Sequence, residues 1–331
     1  DRLMQGERKN RPVRIVTDTH GFRNDREISE EPVEGTYRIL FVGDSFVDGM
    51  RTDQKDTIGR LLEDRLNADP PSPLFHRYEV LISGHNNPLN AWHGFQEHAA
   101  RFKPRLVIVG LTLGNDWSCN SFDHAFSVVE EGGRMRVHSK GIKAHSRLRA
   151  GKLYLPPAAY KSSGPLDGVK DRILNAMMRA SRGNRLFEDL PPPMIAPQPS
   201  TRFRVPAADF MITLGLFYAD RLPRIDILYA DMEKVLRGFT GAIRESGAEE
   251  LMLIFATRPE VSGRDRFMLE FGYSLDLRKF DFGSARRRLA GFFGSEKIRW
   301  LDPTPELIRS HKIRSVFRPR GDMHLNERGQ Q

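Results

Sequence analysis

A chain of 331 residues with 39% apolar and 29% charged side chains can bury a large core and has an ordinary globular composition. Its net charge of +9 at pH 7 comes from 52 Lys and Arg against 43 Asp and Glu. One cysteine, Cys119, excludes an internal disulfide and a cysteine-rich zinc site, and no apolar stretch is long enough to span a bilayer.

Residues 1–35 are polar and read as an irregular extension. The first residue is Asp1 and no signal-peptide pattern follows, which leaves a leader or anchor upstream of Asp1 open; the compartment is unassigned, with a lean to an extracytoplasmic one. Tyr37–Val42 is a short apolar run of the kind expected of a buried parallel strand. Residues 56–67 then predict a helix, with Ile58, Leu61, Leu62 and Leu66 on one side. A second strand is expected at Tyr78–Ile82, a helix over 91–102 stopped by Pro104, and a third strand at Leu106–Leu111. Further on, Ile225, Leu228, Tyr229, Met232, Leu236, Phe239 and Ile243 recur every three or four residues and give the clearest helix in the chain, its stripe suited to core packing or to an oligomer contact. Leu251–Phe255 and Ile298–Leu301 read as the last strands, with a helix over 282–293 between them. Alternating strands and helices imply a mainly parallel sheet covered on both faces, an α/β three-layer sandwich, with functional groups beyond the carboxyl ends of the strands.

The middle breaks the alternation, which divides the chain into a core of 1–117 and 225–331 and an insertion of 118–224, expected to lie over the site as a lid or wall. Residues 134–204 hold 15 Lys and Arg but only 4 Asp and Glu, so the basicity belongs to the insertion and the remainder nets −2. Within it, 132–151 reads as a basic loop, 169–180 as a basic amphipathic helix and 190–199 as a proline-rich connector. Its cations suit a solvated lid, an anionic substrate such as an acidic polysaccharide or lipid headgroup, or a membrane surface. Nucleic acid is disfavoured, because no binding motif is present and aromatic residues do not alternate with the basic ones.

Four separated blocks follow strands or precede helices: Gly43-Asp44-Ser45-Phe46, Gly84, Gly114-Asn115-Asp116 and Asp322-Met323-His324. Their letters and order resemble the SGNH hydrolases, also called GDSL esterases and lipases, over roughly residues 20–117 and 248–329. Gly21-Phe22-Arg23 is similar to a segment common in bacterial members. The resemblance implies a flavodoxin-like α/β/α core, no cofactor and no metal. It implies Ser45 as nucleophile, His324 as base and Asp322 as the acid that orients it. The oxyanion would be held by the backbone N–H groups of Ser45 and Gly84 and by the Asn115 amide. The last pair is spaced Asp-x-His rather than the family's common Asp-x-x-His, as in polysaccharide O-acetylation proteins. The chain also stops soon after His324, so the helix usual there is expected to be short.

Bland roles compete at each position. Ser45 alone reads as a helix cap, Asp44 as a turn acceptor and Asp116 as a cap. His85, His93 and His98 lack an acidic ligand pattern and read as hydrogen-bonded histidines. Asn86 and Asn87 fit either substrate contact or loop structure, and Cys119 fits a half-buried packing role. The preferred function is hydrolysis of a carboxylic ester through an acyl-Ser45 intermediate, with a short acyl group such as acetyl on a carbohydrate or a lipid-like alcohol. An O-acyltransferase using the same residues, and a non-catalytic carbohydrate-binding module, are the rivals.

Overall fold

The computed structural model describes residues 2–5, 12–50, 52–113, 116, 126–139, 214–220, 223–272, 275–317 and 324–331. The expected 169–180 helix, the 190–199 connector, Cys119, Gly114, Asn115 and Asp322 lie outside the described residues.

A five-stranded parallel sheet is built from β3 (Thr36–Gly43), β4 (Arg77–Gly84), β5 (Leu106–Thr112), β8 (Glu249–Phe255) and β9 (Trp300–Leu301), in the order β4-β3-β5-β8-β9. Counting only these strands the order is 2-1-3-4-5, that of flavodoxin-like folds, which reverses direction between the first and third strands. The apolar runs are explained by burial on both faces. Ile39 and Phe41 point into one core with Val80, Ile82, Ile108, Leu253 and Phe255. Leu40 and Val42 point into the other with Leu81, Val107, Val109, Met252 and Ile254. The first face is covered by α2 (Ile58–Ala68) and later by α5 (Arg258–Val261), which α6 (Gly263–Gly272) follows, and by α8 (Thr304–Ile313). The second is covered by α3 (Pro88–Glu97), α4 (Pro223–Glu245) and α7 (Ser284–Ser295). The molecule is therefore a three-layer α/β/α sandwich.

Several expectations shift. The 91–102 helix begins earlier, because Asn87 accepts from the Asn90 N–H at 2.9 Å and Pro88 occupies the first turn. It ends at Glu97, and a separate 3₁₀ turn spans Ala99–Phe102. Asn87 is thereby a helix cap. The polar extension is not wholly irregular: Arg2–Gln5 (β1) and Pro12–Ile15 (β2) form an antiparallel hairpin. Phe22 and Ile28 are buried in the core. The expected 132–151 loop begins with a strand. Phe126–Glu131 (β6) and Arg134–Ser139 (β7) pair through a turn at Gly132 and Gly133, both at positive φ. Val137 is buried, and its N–H donates to Gln96 Oε1 of α3 at 3.1 Å. Leu214, Leu216, Phe217 and Tyr218 also join the core beside α4. Parts of 118–224 are thus packed on the framework.

The outer rim of β4 is closed by two side chains and one backbone amide. Asn67 accepts from the Tyr78 N–H and donates to the Tyr78 carbonyl, both at 2.9 Å. Glu63 accepts from the Val80 N–H at 2.7 Å, and the Arg23 N–H donates to the Ile82 carbonyl at 2.8 Å. At the amino end of the sheet, Arg38 and Glu79 are register partners forming a buried ion pair at 2.8 Å. The Arg38 guanidinium also donates to the Glu30 and Phe102 carbonyls.

Candidate active site

The site forms at the carboxyl ends of β3, β4 and β5, at the reversal of strand order. β3 ends at Gly43, and Ser45 opens the one-turn helix α1 (Ser45–Asp48). This turn is tight. A Cβ on Gly43 would lie 2.5 Å from Val47 Cγ2 and 2.9 Å from the Gly110 carbonyl oxygen, and one on Gly110 would lie 2.4 Å from the same methyl. Two strands without side chains at these points let Val47 pack fully buried against them, which seats Ser45 at the strand ends.

The helix cap is Asp44, whose Oδ1 accepts from the Phe46 N–H at 2.9 Å. Ser45 is therefore not the cap. It is the first helical residue, with no acceptor for its own N–H inside the helix. Asp116 takes the turn-bonding role expected of it: its Oδ2 accepts from the Thr112 N–H at 2.7 Å. Burial, then the nearby charge of Asp44, push the Asp116 carboxyl well above the ordinary carboxylate range.

Gly84 ends β4 directly opposite Gly43, and the His85 N–H donates to the Gly43 carbonyl at 2.6 Å. The first and second blocks are thereby joined. A Cβ on Gly84 would lie 2.9 Å from Asp48 Cβ and 3.1 Å from Asp48 Oδ1, so the absent side chain makes room for α1. His85 folds back, its Nε2 3.0 Å from Ser83 Oγ. Burial, then His93 and His98, push its pKa down to about 4, so it is a neutral imidazole at pH 7. Among the described residues no cluster of three or more metal-ligating side chains occurs.

His324 arrives from the far end of the chain. Its Nε2 lies 2.7 Å from Ser45 Oγ, across 279 positions of sequence. For Nε2 to accept the serine proton, the neutral ring must carry its hydrogen on Nδ1. The ring lies against Phe46, with centroids 5.2 Å apart and planes inclined by 32°. Its position is fixed from the following residues. Leu325 is buried and bridges to Phe317, and the Asn326 side-chain amide donates to the Ser315 and Phe317 carbonyls at 2.9 and 3.1 Å. Asn326 also caps α9 (Glu327–Gln330), accepting from the Gly329 N–H at 3.0 Å. Gln330 in turn accepts from the Ile58 N–H of α2 at 2.9 Å.

The structure thus brings Ser45, Gly84 and His324 to one end of the sheet, whereas Asn115 and Asp322 lie outside the described residues. Phe46, Asn326 and Gln330, which surround or anchor His324, carry no signal of that role in the sequence. Phe46 was in view as the neighbour of Ser45, but nothing local indicates a contact with a ring near the other terminus.

No family model and no curated protein matches the chain. Solved structures do. TesA is similar with 12% identity and a TM-score of 0.41, over 88% of this chain and 91% of TesA. A G-D-S-L family protein from Desulfitobacterium hafniense DCB-2 is 9% identical, with a TM-score of 0.37 over 89% of this chain and 93% of its own. An acetylxylan esterase from Geobacillus stearothermophilus is 10% identical, with a TM-score of 0.40 over 89% of both chains. Similarity at this level bears on neither mechanism nor substrate.

Proposed function

We propose that the chain is a serine-dependent carboxylic-ester hydrolase of SGNH type. One observation carries this reading: the 2.7 Å contact between Ser45 Oγ and His324 Nε2 at the strand ends of a flavodoxin-like sheet. A serine hydroxyl is a weak nucleophile until a base takes its proton, and this contact supplies the base. Ser45 Oγ bonds to the ester carbonyl carbon while its proton passes to Nε2 and the carbonyl π electrons move onto oxygen. The resulting oxyanion is met by the N–H groups of Ser45 and Gly84 and by the Asn115 amide. Collapse breaks the bond to the alcohol oxygen, which leaves with the proton held on Nε2. Water then attacks the acyl-serine by the same route and releases the acid. In this reading Asp322 holds the Nδ1–H and faces the imidazolium.

The Asp322-x-His324 spacing favours a short acyl group, acetyl on a glycan, by resemblance to polysaccharide O-acetylation proteins. The basic stretch 134–204 then supplies charge complementary to an acidic glycan. The test is turnover of p-nitrophenyl acetate together with active-site labelling by a fluorophosphonate. Ser45→Ala is expected to abolish both, and His324→Ala to lower turnover by at least about 10³. Turnover that survives in Ser45→Ala overturns the reading. Product analysis with an added sugar acceptor separates hydrolysis from acyl transfer through the same acyl-serine.

A further inference from the structure

Phe46 follows the nucleophile and is 3% exposed. A residue buried there among Val47, Phe255 and Leu325 needs only to be apolar to fill the core. This one presents an aromatic ring to His324, tilted by 32° with the centroids 5.2 Å apart. The ring is held in place by a second aromatic and by its own backbone. Phe255, the last residue of β8, lies 5.4 Å from it at 38°, and the Asp44 cap fixes the Phe46 backbone through its N–H. The imidazole, in turn, is placed by its 2.7 Å contact to Ser45 Oγ. One side chain therefore touches the base while its own backbone adjoins the nucleophile.

The geometry points to Phe46 as a positioning residue that stabilises the imidazolium His324 becomes during acyl transfer. The inference rests on the proposed hydrolase reading, because it needs His324 to take the Ser45 proton. An aromatic face carries partial negative charge, and a cation within about 6 Å of its centroid is attracted to it. A neutral imidazole gains packing from the same contact and little more. As the Ser45 proton reaches Nε2 the ring becomes cationic, and the attraction strengthens at that moment. An interaction that grows toward the transition state raises kcat and leaves KM nearly unchanged. An aliphatic residue at 46 preserves the packing and lacks this electrostatic gain.

The experiment varies the ring's charge distribution at nearly constant shape. Phe46 is replaced by 4-fluoro-, 3,5-difluoro- and pentafluorophenylalanine, and kcat and KM for p-nitrophenyl acetate are measured beside Phe46→Leu and Ser45→Ala. The expected result is a stepwise fall in kcat with fluorination, reaching about 5- to 10-fold for the pentafluoro ring, with KM within about twofold and melting temperature held. Phe46→Leu is expected to fall by a similar factor. A kcat independent of fluorination, or a loss confined to KM or to stability, overturns the inference. Turnover retained in Ser45→Ala overturns the underlying hydrolase reading, and the two failures are distinguished within one data set.

Discussion

Gln330 and Ile58, 272 positions apart, share one hydrogen bond: the Gln330 Oε1 accepts from the Ile58 N–H at 2.9 Å. Ile58 opens α2, so its N–H lacks an intrahelical acceptor, and a buried side chain from the final turn of the chain supplies one. The segment bearing His324 is thereby fastened to a helix that packs beneath β4. Gln330→Ala leaves that N–H orphaned and is expected to cost about 1–2 kcal/mol. Because α9 follows His324 closely, kcat should fall several-fold while KM holds. Chemical denaturation and ester kinetics on the same preparation check both effects; unchanged values for both would show that the fastening has no functional weight.

Asn326 is the more consequential anchor. It donates to two carbonyls and caps α9. Asn326→Ala removes all three bonds and should destabilise by roughly 2–3 kcal/mol, with a larger fall in kcat than Gln330→Ala. Asn326→Asp keeps the cap and loses the donors, so it should fall between the two. The ranking, read by urea midpoints and turnover, checks the assignment.

Gly84 is predicted to tolerate no side chain while α1 stays in place. Gly84→Ala puts a Cβ 2.9 Å from Asp48 Cβ and must displace the turn whose N–H is proposed for the oxyanion. A loss of about 10²–10³ in kcat is expected, the magnitude of one missing oxyanion donor. Asp48→Gly in the same chain removes the colliding atom and should recover part of the loss. Equal activity of the single and double variants would refute the steric account.

The ion pair of Arg38 and Glu79 lies at the amino end of the sheet, remote from Ser45 along β3. Arg38→Leu removes the buried partner of Glu79, leaving it only the half-exposed Arg77 at 2.9 Å, and also frees two carbonyls, so a loss of about 3 kcal/mol is expected. The folded fraction should keep normal kcat. Pairing Arg38→Leu with Glu79→Leu should return much of the stability, as thermal unfolding would show.

His85 predicts a pH dependence of stability. Its folded pKa is pushed down to about 4, first by burial and then by His93 and His98, from an ordinary value of 6.5. Below about pH 6.5 the unfolded chain takes up this proton while the folded chain does not. Stability from this group is therefore full above pH 6.5 and declines as pH falls toward 4, by roughly 3 kcal/mol in all. His85→Gln retains a polar partner for Ser83 without titrating. Urea midpoints from pH 7 to 4 should fall more steeply in the unaltered protein than in His85→Gln, and parallel curves would refute the assignment.

The elements legible in sequence were those whose side chains face one kind of surroundings throughout. β3 and β5 are apolar on both faces, and α4 repeats its stripe over about five turns, so both announce themselves. The four blocks fixed which strand ends would gather, and the Ser45–His324 contact follows that order. The rim of β4 was not legible. Glu63 and Asn67 sit on the helix that carries Ile58, Leu62 and Leu66 and look like ordinary solvent-facing polar residues, because their partners are backbone groups of a strand read separately. The β6–β7 hairpin was hidden for a related reason: its basic residues suggested a loop, whereas pairing and the burial of Val137 against α3 decide its form. α8 was not among the expected elements; its start is flanked by Pro303 and Pro305, both of which are compatible with a first turn.

The groups that close the rim of β4 have a consequence for self-association. A foreign strand docking there would need the Tyr78 amide and carbonyl, the Val80 amide and the Ile82 carbonyl, all of which are engaged by Asn67, Glu63 and Arg23. At that rim the sheet offers no template for growth into fibrils or swapped dimers while α2 remains docked. Conditions or substitutions that peel α2 away, rather than those that loosen the sheet itself, are the ones that should convert this fold into an aggregating species.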